Sequence, residues 1–68
     1  MINITFRTDN AAFEGEARGP EIARILRQLA ATLESRNRLY LGYEADIRDA
    51  NGNTVGEVVV SYVDEDED

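Results

Sequence analysis

The stretch that decides the fold is residues 40–63, YLGYEADIRDANGNTVGEVVVSYV, where an Asn51-Gly52 pair separates two runs of alternating apolar and polar residues. Asn-Gly is the preferred pair for a two-residue type I′ hairpin turn, because both of its residues need a positive φ. With Ala50 opposite Asn53, one face of the predicted hairpin carries only apolar, aromatic or glycine residues. Those residues are Leu41, Tyr43, Ala45 and Ile47, which face Tyr62, Val60, Val58 and Gly56.

The other face of the predicted hairpin is mixed, and its acids are the strongest candidates for function. Asp46 faces Glu57 across the two strands, and Glu44 lies two residues from Asp46 on the same strand. Like charges placed directly opposite each other destabilise a sheet. These carboxylates could simply be solvated, could bind a hard cation such as Ca²⁺, or could receive arginine or lysine side chains of a partner protein.

Apolar side chains share this mixed face with the acids. A small protein without disulfides gains stability when such side chains are buried against a second copy or a partner. We therefore expect partner contact on this face. The candidate partner-binding residues are Tyr40, Glu44, Asp46, Glu57, Val59 and Val63, with Val55 beside them.

Two further elements are predicted upstream of the hairpin. Residues 2–7 alternate with a period of two, as in a half-buried strand. Residues 11–15, with Phe13 as their one large apolar side chain, could form a short edge strand. Pro20 is tolerated in the first turn of a helix, and the apolar stripe that follows it predicts a helix over residues 20–35. The stripe consists of Ile22, Leu26, Leu29 and Leu33, widened by Ile25 and Ala30.

Together these elements predict an α+β fold of the form β(β)αββ. The sheet is antiparallel with three strands, or four if residues 11–15 pair, and one helix packs on one of its faces. A right-handed connection brings the first strand beside the last, which gives the order 1-3-2. We expect a single domain over residues 1–63. Residues 64–68 are all acidic, so we expect them to form a disordered tail.

Composition excludes several functional classes. The chain has 68 residues, a formal charge of −7, and no cysteine or histidine. Disulfides, thiolate or imidazole metal centres and histidine-based catalytic triads are therefore ruled out. No serine has a histidine or lysine to act as its base, so we predict a protein that is not an enzyme and needs neither cofactor nor metal. Neither a membrane span nor an export signal is recognisable, and we expect a cytoplasmic protein with no membrane partner.

Three arginines in or just before the predicted helix offer a second surface. Arg18, Arg24 and Arg27 could contact the phosphates of a nucleic acid. A solvated helix face, with Arg24 paired to Glu21 three residues earlier, is the simpler interpretation. Nucleic-acid binders normally carry a net basic patch, so the formal charge of −7 argues against this alternative.

Three segments of the chain carry a resemblance: TDNAAF at 8–13, EIARILR at 21–27 and DANGNTVG at 49–56. Through them, residues 1–60 resemble a group of short phage-encoded or prophage-encoded proteins of uncharacterised function. The resemblance implies a mobile-element origin and, by analogy with other small acidic phage proteins, an inhibitor of host defence or of nucleic-acid enzymes. It implies no catalytic residues. Mimicry of DNA by the whole surface fits less well, because the folded part carries only −2 once the five tail acids are set aside.

The leading hypothesis is a small, acidic, non-enzymatic binding protein that engages a basic host protein through the mixed sheet face. One alternative is a structural or assembly homodimer without an outside target. The other alternative is nucleic-acid contact through the arginine-bearing helix.

Overall fold

The structure is a three-stranded antiparallel sheet with one α-helix packed on one of its faces. The computed structural model describes residues 1–61, and the strands follow the order β1-β3-β2. This confirms the predicted α+β class and strand order. Residues 62–68, which include Val63 and the predicted acidic tail, lie outside the described residues. The elements are β1 (Ile2–Phe6), α1 (Arg18–Glu34), β2 (Tyr43–Arg48) and β3 (Thr54–Val60).

The hydrophobic core lies between α1 and one face of the sheet. Phe13 and Val58 are fully buried, and Ile25 of α1 is 4% exposed. The helix therefore reaches the sheet through Ile25, which was predicted only to widen the stripe, whereas Leu26, predicted as one of its main residues, is 43% exposed. Half-buried residues that complete the core are Phe6, Ala12, Ile22, Leu29, Tyr43, Ala45 and Val60.

The fourth strand considered for residues 11–15 is wrong. Residues Ala11–Phe13 form a single 3-10 turn, and the side chain of Asn10 caps it by accepting a hydrogen bond from the Ala12 N–H at 3.0 Å. This cap satisfies the free amide of the turn without a neighbouring strand. The turn directs Phe13 into the core, where its ring centroid lies 6.3 Å from that of Phe6.

The hairpin keeps the predicted register but not the predicted turn. From Tyr43 opposite Val60 to Ile47 opposite Gly56, every pair agrees with the sequence analysis. The turn has three residues rather than two, because the Asp49 N–H donates to the Asn53 carbonyl at 2.9 Å and only Gly52 of the turn has a positive φ. A type I turn followed by a left-handed glycine is the usual three-residue loop of this kind.

A bulge in β3 compensates for the longer turn. The register shifts between Ile47 and Arg48, so Val55 has no residue of its own opposite it in β2. Its side chain is 4% exposed and belongs to the core, so the prediction that Val55 lies on the mixed face is wrong. Bulges re-aim side chains in this way because they insert one extra residue into a strand.

Gly56 allows β1 to approach β3 closely. A Cβ atom at this position would lie 1.9 Å from the carbonyl oxygen of Thr5 and 2.5 Å from the Cα of Phe6. Any side chain here would push β1 away from β3. Glycine at residue 56 therefore keeps residues of β1 in line with the acids of the neighbouring strands.

Candidate protein-binding site

The sheet face that α1 does not cover carries two rows of side chains, one residue from each strand. One row contains Thr5, Glu57 and Asp46, and the next contains Asn3, Val59 and Glu44. We call these six residues the open face. Facing side chains in an antiparallel pair have Cβ atoms about 5 Å apart. The structure therefore brings Glu44, Asp46 and Glu57 together as the sequence predicted.

Within residues 1–61, the three carboxylates of the open face form no salt bridge. Each belongs to an exposed residue. Within residues 1–61 the single salt bridge joins Arg24 to Glu21, which lies elsewhere. Arg48 lies two residues after Asp46 on β2, but its guanidinium donates to the Gly52 carbonyl at 3.5 Å. The open face thus presents adjacent negative charges to the solvent.

A shallow depression of about 440 Å³ lies on this side of the sheet beside Glu57. Asp46 and Glu57 contribute to its wall, together with Thr5 and Thr54. Arg7 also lines it, but within the described chain it forms no salt bridge with either acid. The depression offers two carboxylates and two hydroxyls to a positively charged side chain from outside.

Two predicted members of the site are not placed on the open face. Tyr40 belongs to a 3-10 turn, Leu39–Leu41, and is 66% exposed. Gly42, with a φ of 99°, follows this turn and separates it from β2, so the strand does not extend back to Tyr40 as predicted. Val63, the predicted partner of Tyr40, lies outside the described residues. Val59 is on the open face and is half-buried.

The three arginines of the alternative surface do not form one patch. Arg18 is the first residue of α1, and Arg27 is exposed nine residues later. Nine residues correspond to about 180° around a helix axis, so these two side chains leave opposite sides of α1. Arg24 is held by Glu21 in a two-pronged ion pair, with nitrogen to oxygen distances of 2.9 and 2.8 Å. This arrangement does not favour phosphate binding by the set.

Sequence reasoning missed a second group of acids, which is buried beneath the hairpin turn. Glu21 is 8% exposed and accepts hydrogen bonds from Arg24 and, at 2.8 Å, from the Ala50 N–H. It therefore joins the first turn of α1 to the hairpin turn. The predicted pairing of Glu21 with Arg24 is present, but the contact to Ala50 has no local sequence signal.

Asp49 is the second member of this buried group and is 4% exposed. Its carboxylate accepts from the N–H groups of Asn51 and Asn53, both at 2.9 Å, and from the side chain of Asn10 at 2.7 Å. A further contact comes from the Asn53 side chain at 3.3 Å. An aspartate followed by turn residues indicates the local bonds, whereas the bond to Asn10 spans 39 residues and could not be seen in the sequence. We call Glu21, Asp49, Arg24 and Asn10 the buried acid cluster.

Hydrogen bonding keeps both buried carboxyls ionised. The side-chain hydrogen bonds from Arg24 lower the pKa of Glu21 below its ordinary value, against the opposing effect of burial. Burial raises the pKa of Asp49, but the donors from Asn53, Asn10 and Asn51 outweigh it and leave the pKa below its ordinary value. Hydrogen bonds to the charged form of a carboxyl act in this direction.

Three separate segments of the chain, residues 8–13, 21–27 and 49–56, meet at this cluster. Asn10 comes from the first segment, Glu21 and Arg24 from the second, and Asp49 from the third. No known protein family matches the chain, and no similar protein was found among curated sequences or solved structures. Within residues 1–61, no helix combines the length and apolar character that a membrane crossing requires, and no three acidic side chains are arranged to share a metal ion.

Proposed function

We propose that the protein is a non-enzymatic binding protein whose open face engages a basic surface of another protein. One observation carries the proposal: Glu44, Asp46 and Glu57 lie side by side on an uncovered sheet face and form no salt bridge within the described chain. Like charges held this close are unfavourable in the isolated protein. Arginine or lysine side chains of a partner would relieve that repulsion and form charge-assisted hydrogen bonds.

The form of the open face favours arginine as the recognised residue. Asp46 and Glu57 lie across from each other in neighbouring strands, beside the depression that Thr5 and Thr54 also line. A guanidinium is planar and carries five N–H donors, so it can bond to two carboxylates and a hydroxyl at once. Val59, half-buried in the next row, offers an apolar contact for the stem of the same side chain.

The resemblance to phage-encoded proteins gives the proposed partner a biological class. The partner would be a bacterial host protein with a basic surface, such as a defence protein or a nucleic-acid enzyme that the binding inhibits. Enzymes that bind nucleic acid carry the positive surface that this open face complements. The resemblance alone supports this part of the proposal.

The test compares two variants that carry the same net charge. The first, Glu44→Gln with Asp46→Asn and Glu57→Gln, neutralises the open face. The second, Asp9→Asn with Glu16→Gln and Glu34→Gln, neutralises three exposed acids elsewhere, and both variants change the formal charge from −7 to −4. Each protein is immobilised and exposed to a bacterial lysate, and the retained proteins are quantified by mass spectrometry.

We expect the wild type and the second variant to retain the same basic proteins, and the open-face variant to lose them by tenfold or more. Equal retention by the two variants would show that net charge, not the open face, captures those proteins, and would overturn the proposal. A third protein, lacking residues 64–68, separates the contribution of the C-terminal acids. The proposal requires this shortened protein to keep part of its capture, since the open face remains intact.

A further inference from the structure

The outer edge of β1 presents a free row of backbone hydrogen-bonding groups. The Arg7 N–H donates to the Val55 carbonyl at 2.9 Å, and the Ser61 N–H donates to the Met1 carbonyl at 2.8 Å. Odd-numbered residues of β1 therefore bond to β3. Because successive residues of a strand direct their N–H and C=O groups to opposite sides, Ile2, Ile4 and Phe6 direct theirs away from β3. Within residues 1–61, β1 has no other strand beside it.

Apolar side chains line the same edge. Ile2 is 48% exposed and Ile4 is 39% exposed, although both point to the side of the sheet that α1 covers. Leu26 of α1 is 43% exposed. Gln28 and Thr32 of α1 line a cleft beside β2, so this side of the helix lies over β2. Leu26 lies on the opposite side of the helix from Gln28, because successive residues are about 100° apart, and it therefore lies towards β1. In the described chain, the β1 edge thus combines backbone N–H and C=O groups that no strand pairs with and exposed apolar side chains.

The two edges of the sheet differ in their protection against pairing. Along β2, Glu44, Asp46 and Arg48 carry charges. Charged side chains are one of the usual means by which proteins keep an edge strand from pairing with another chain. β1, with the sequence INITF, has no charge, no proline and no bulge. Only the β2 edge is protected in this way.

We propose that β1 is a homodimer interface, in which a second copy of this chain pairs with it in antiparallel orientation. The two three-stranded sheets then form one sheet of six strands. A two-fold axis at Ile4 sets Ile4 against Ile4 of the partner subunit and Asn3 against Thr5 of the partner subunit. In this register all three outward residues of each β1 find a pair, which gives about six interchain hydrogen bonds.

A second copy fits this edge better than other occupants because the edge is complementary to itself. Polar Asn3 meets polar Thr5, and the isoleucines meet apolar residues. No acidic side chains face each other across the interface, because residues 1–7 contain none, although each chain carries a formal charge of −7. Glu57 on β3 is the open-face acid nearest the interface, and the β3 strands of the two copies are three strand spacings apart, about 14 Å. Glu44 and Asp46 on β2 lie one strand farther away, so the dimer keeps the acids of the two copies apart.

The proposal does not depend on the partner of the open face. It adds that each assembly presents two open faces on the same side of one continuous sheet. A basic protein with two suitable patches, or two basic proteins, would then be bound at once, with the gain in avidity that two linked sites provide.

Sedimentation velocity and light scattering on the unmodified protein give the first test. We expect the mass to rise towards twice 7.6 kDa as the concentration increases through the micromolar range. A mass that stays at one chain throughout the range overturns the proposal. Amide hydrogen exchange at the concentration of the dimer identifies the surface: the Ile2, Ile4 and Phe6 amides should be protected about as well as those of Asn3 and Thr5. Fast exchange at Ile2 and Ile4 in a confirmed dimer would place the contact elsewhere and overturn it.

A matched pair of variants tests the register. Asn3→Lys with Thr5→Lys sets two lysines of one copy against two of the other, and we expect the dimer dissociation constant to rise at least about tenfold. Asn3→Glu with Thr5→Lys sets glutamate against lysine in both positions, and we expect the dimer to persist. Both variants carry the Thr5→Lys substitution opposite Glu57 of the same chain, so they differ at residue 3 alone. Circular dichroism checks that both are folded. Equal dissociation constants for the two variants would contradict the pairing centred on Ile4.

Discussion

Two groups of carboxylates in this protein are placed under opposite conditions. Glu21 and Asp49 are buried and accept hydrogen bonds from several donors each, including Arg24, Asn10 and backbone N–H groups of the hairpin turn. Glu44, Asp46 and Glu57 are exposed, share a sheet face and form no salt bridge in the described part of the chain. The difference shows that the formal charge of −7 combines acids that hold the fold together with acids that are free to meet a partner.

The largest effect should come from removing a buried acid. Asp49→Ala leaves the N–H groups of Asn51 and Asn53 and the side chain of Asn10 without their acceptor. Losing the shared acceptor of several partly buried hydrogen bonds is strongly destabilising, and we expect the midpoint of thermal unfolding to fall by roughly 10 °C or more. Circular dichroism during heating measures this change.

The control for Asp49→Ala is Asp46→Ala, which removes the same side chain from the open face. Its midpoint should stay within about 2 °C of the wild type or rise slightly, because surface substitutions seldom have large effects. Similar losses in the two variants would abolish the distinction between the two groups of acids.

Acidification should act mainly through the buried group. The pKa values of Glu21 and Asp49 are lower in the folded protein than their ordinary values of 4.5 and 3.8, so the unfolded chain binds protons more readily. Stabilisation from both groups is therefore complete above about pH 5 and is lost as the pH falls through and below the ordinary values. Urea unfolding at a series of pH values from about 7 to about 3 should show this decline in the free energy of unfolding.

Glu21→Gln isolates the contribution of that carboxyl to the acid response. A glutamine keeps an oxygen for the Ala50 N–H but has no carboxyl proton to take up, so the decline below about pH 5 should become shallower. Glu34→Gln, at the exposed end of α1, should leave the slope close to that of the wild type. A slope that is unchanged by Glu21→Gln and reduced by Glu34→Gln would assign the pH dependence to the surface.

The smallest effect concerns the repulsion on the open face. Glu57→Gln removes the like charge opposite Asp46, and we expect a gain of roughly 0.2–1 kcal/mol in the free energy of unfolding. Because exposed charges are screened by salt, the gain should shrink in about 1 M sodium chloride. Urea unfolding at low and high salt measures both values. A loss of stability at low salt would mean that Glu57 has a favourable internal contact and is not free for a partner.

Much of the fold could be predicted because it depends on local signals that agree with one another. The alternation in β2 and β3 fixed which residues share a face, and the Asn51-Gly52 pair located the hairpin. The open-face acids followed from that register. These predictions needed only the two-residue period of a strand and the preferences of a turn.

The rest depends on contacts between residues far apart in the chain. Phe13 lies in a 3-10 turn rather than a strand because Asn10 caps the turn and α1 with the sheet buries the ring. The three-residue turn and the bulge at Val55 compensate for each other, so the alternation pattern alone does not distinguish them from a simple two-residue turn. The hydrogen bonds of Asn10 to Asp49 and of Ala50 to Glu21 arise only once α1 and the hairpin are packed.

The bulge at Val55 also affects how freely this sequence can change. On the side of the bulge towards the turn, hydrogen bonds to Glu21 of α1 and to Asn10 hold the hairpin tip in place. On the other side, the pairs from Tyr43 to Ile47 of β2 keep their own register with β3. Deleting Val55 would leave Ile47 opposite Gly56 and Arg48 opposite Thr54, so the faces of the remaining pairs would not exchange. A deletion at residue 55 would therefore lower the thermal stability, because Val55 is a core residue, but would leave the open face unchanged.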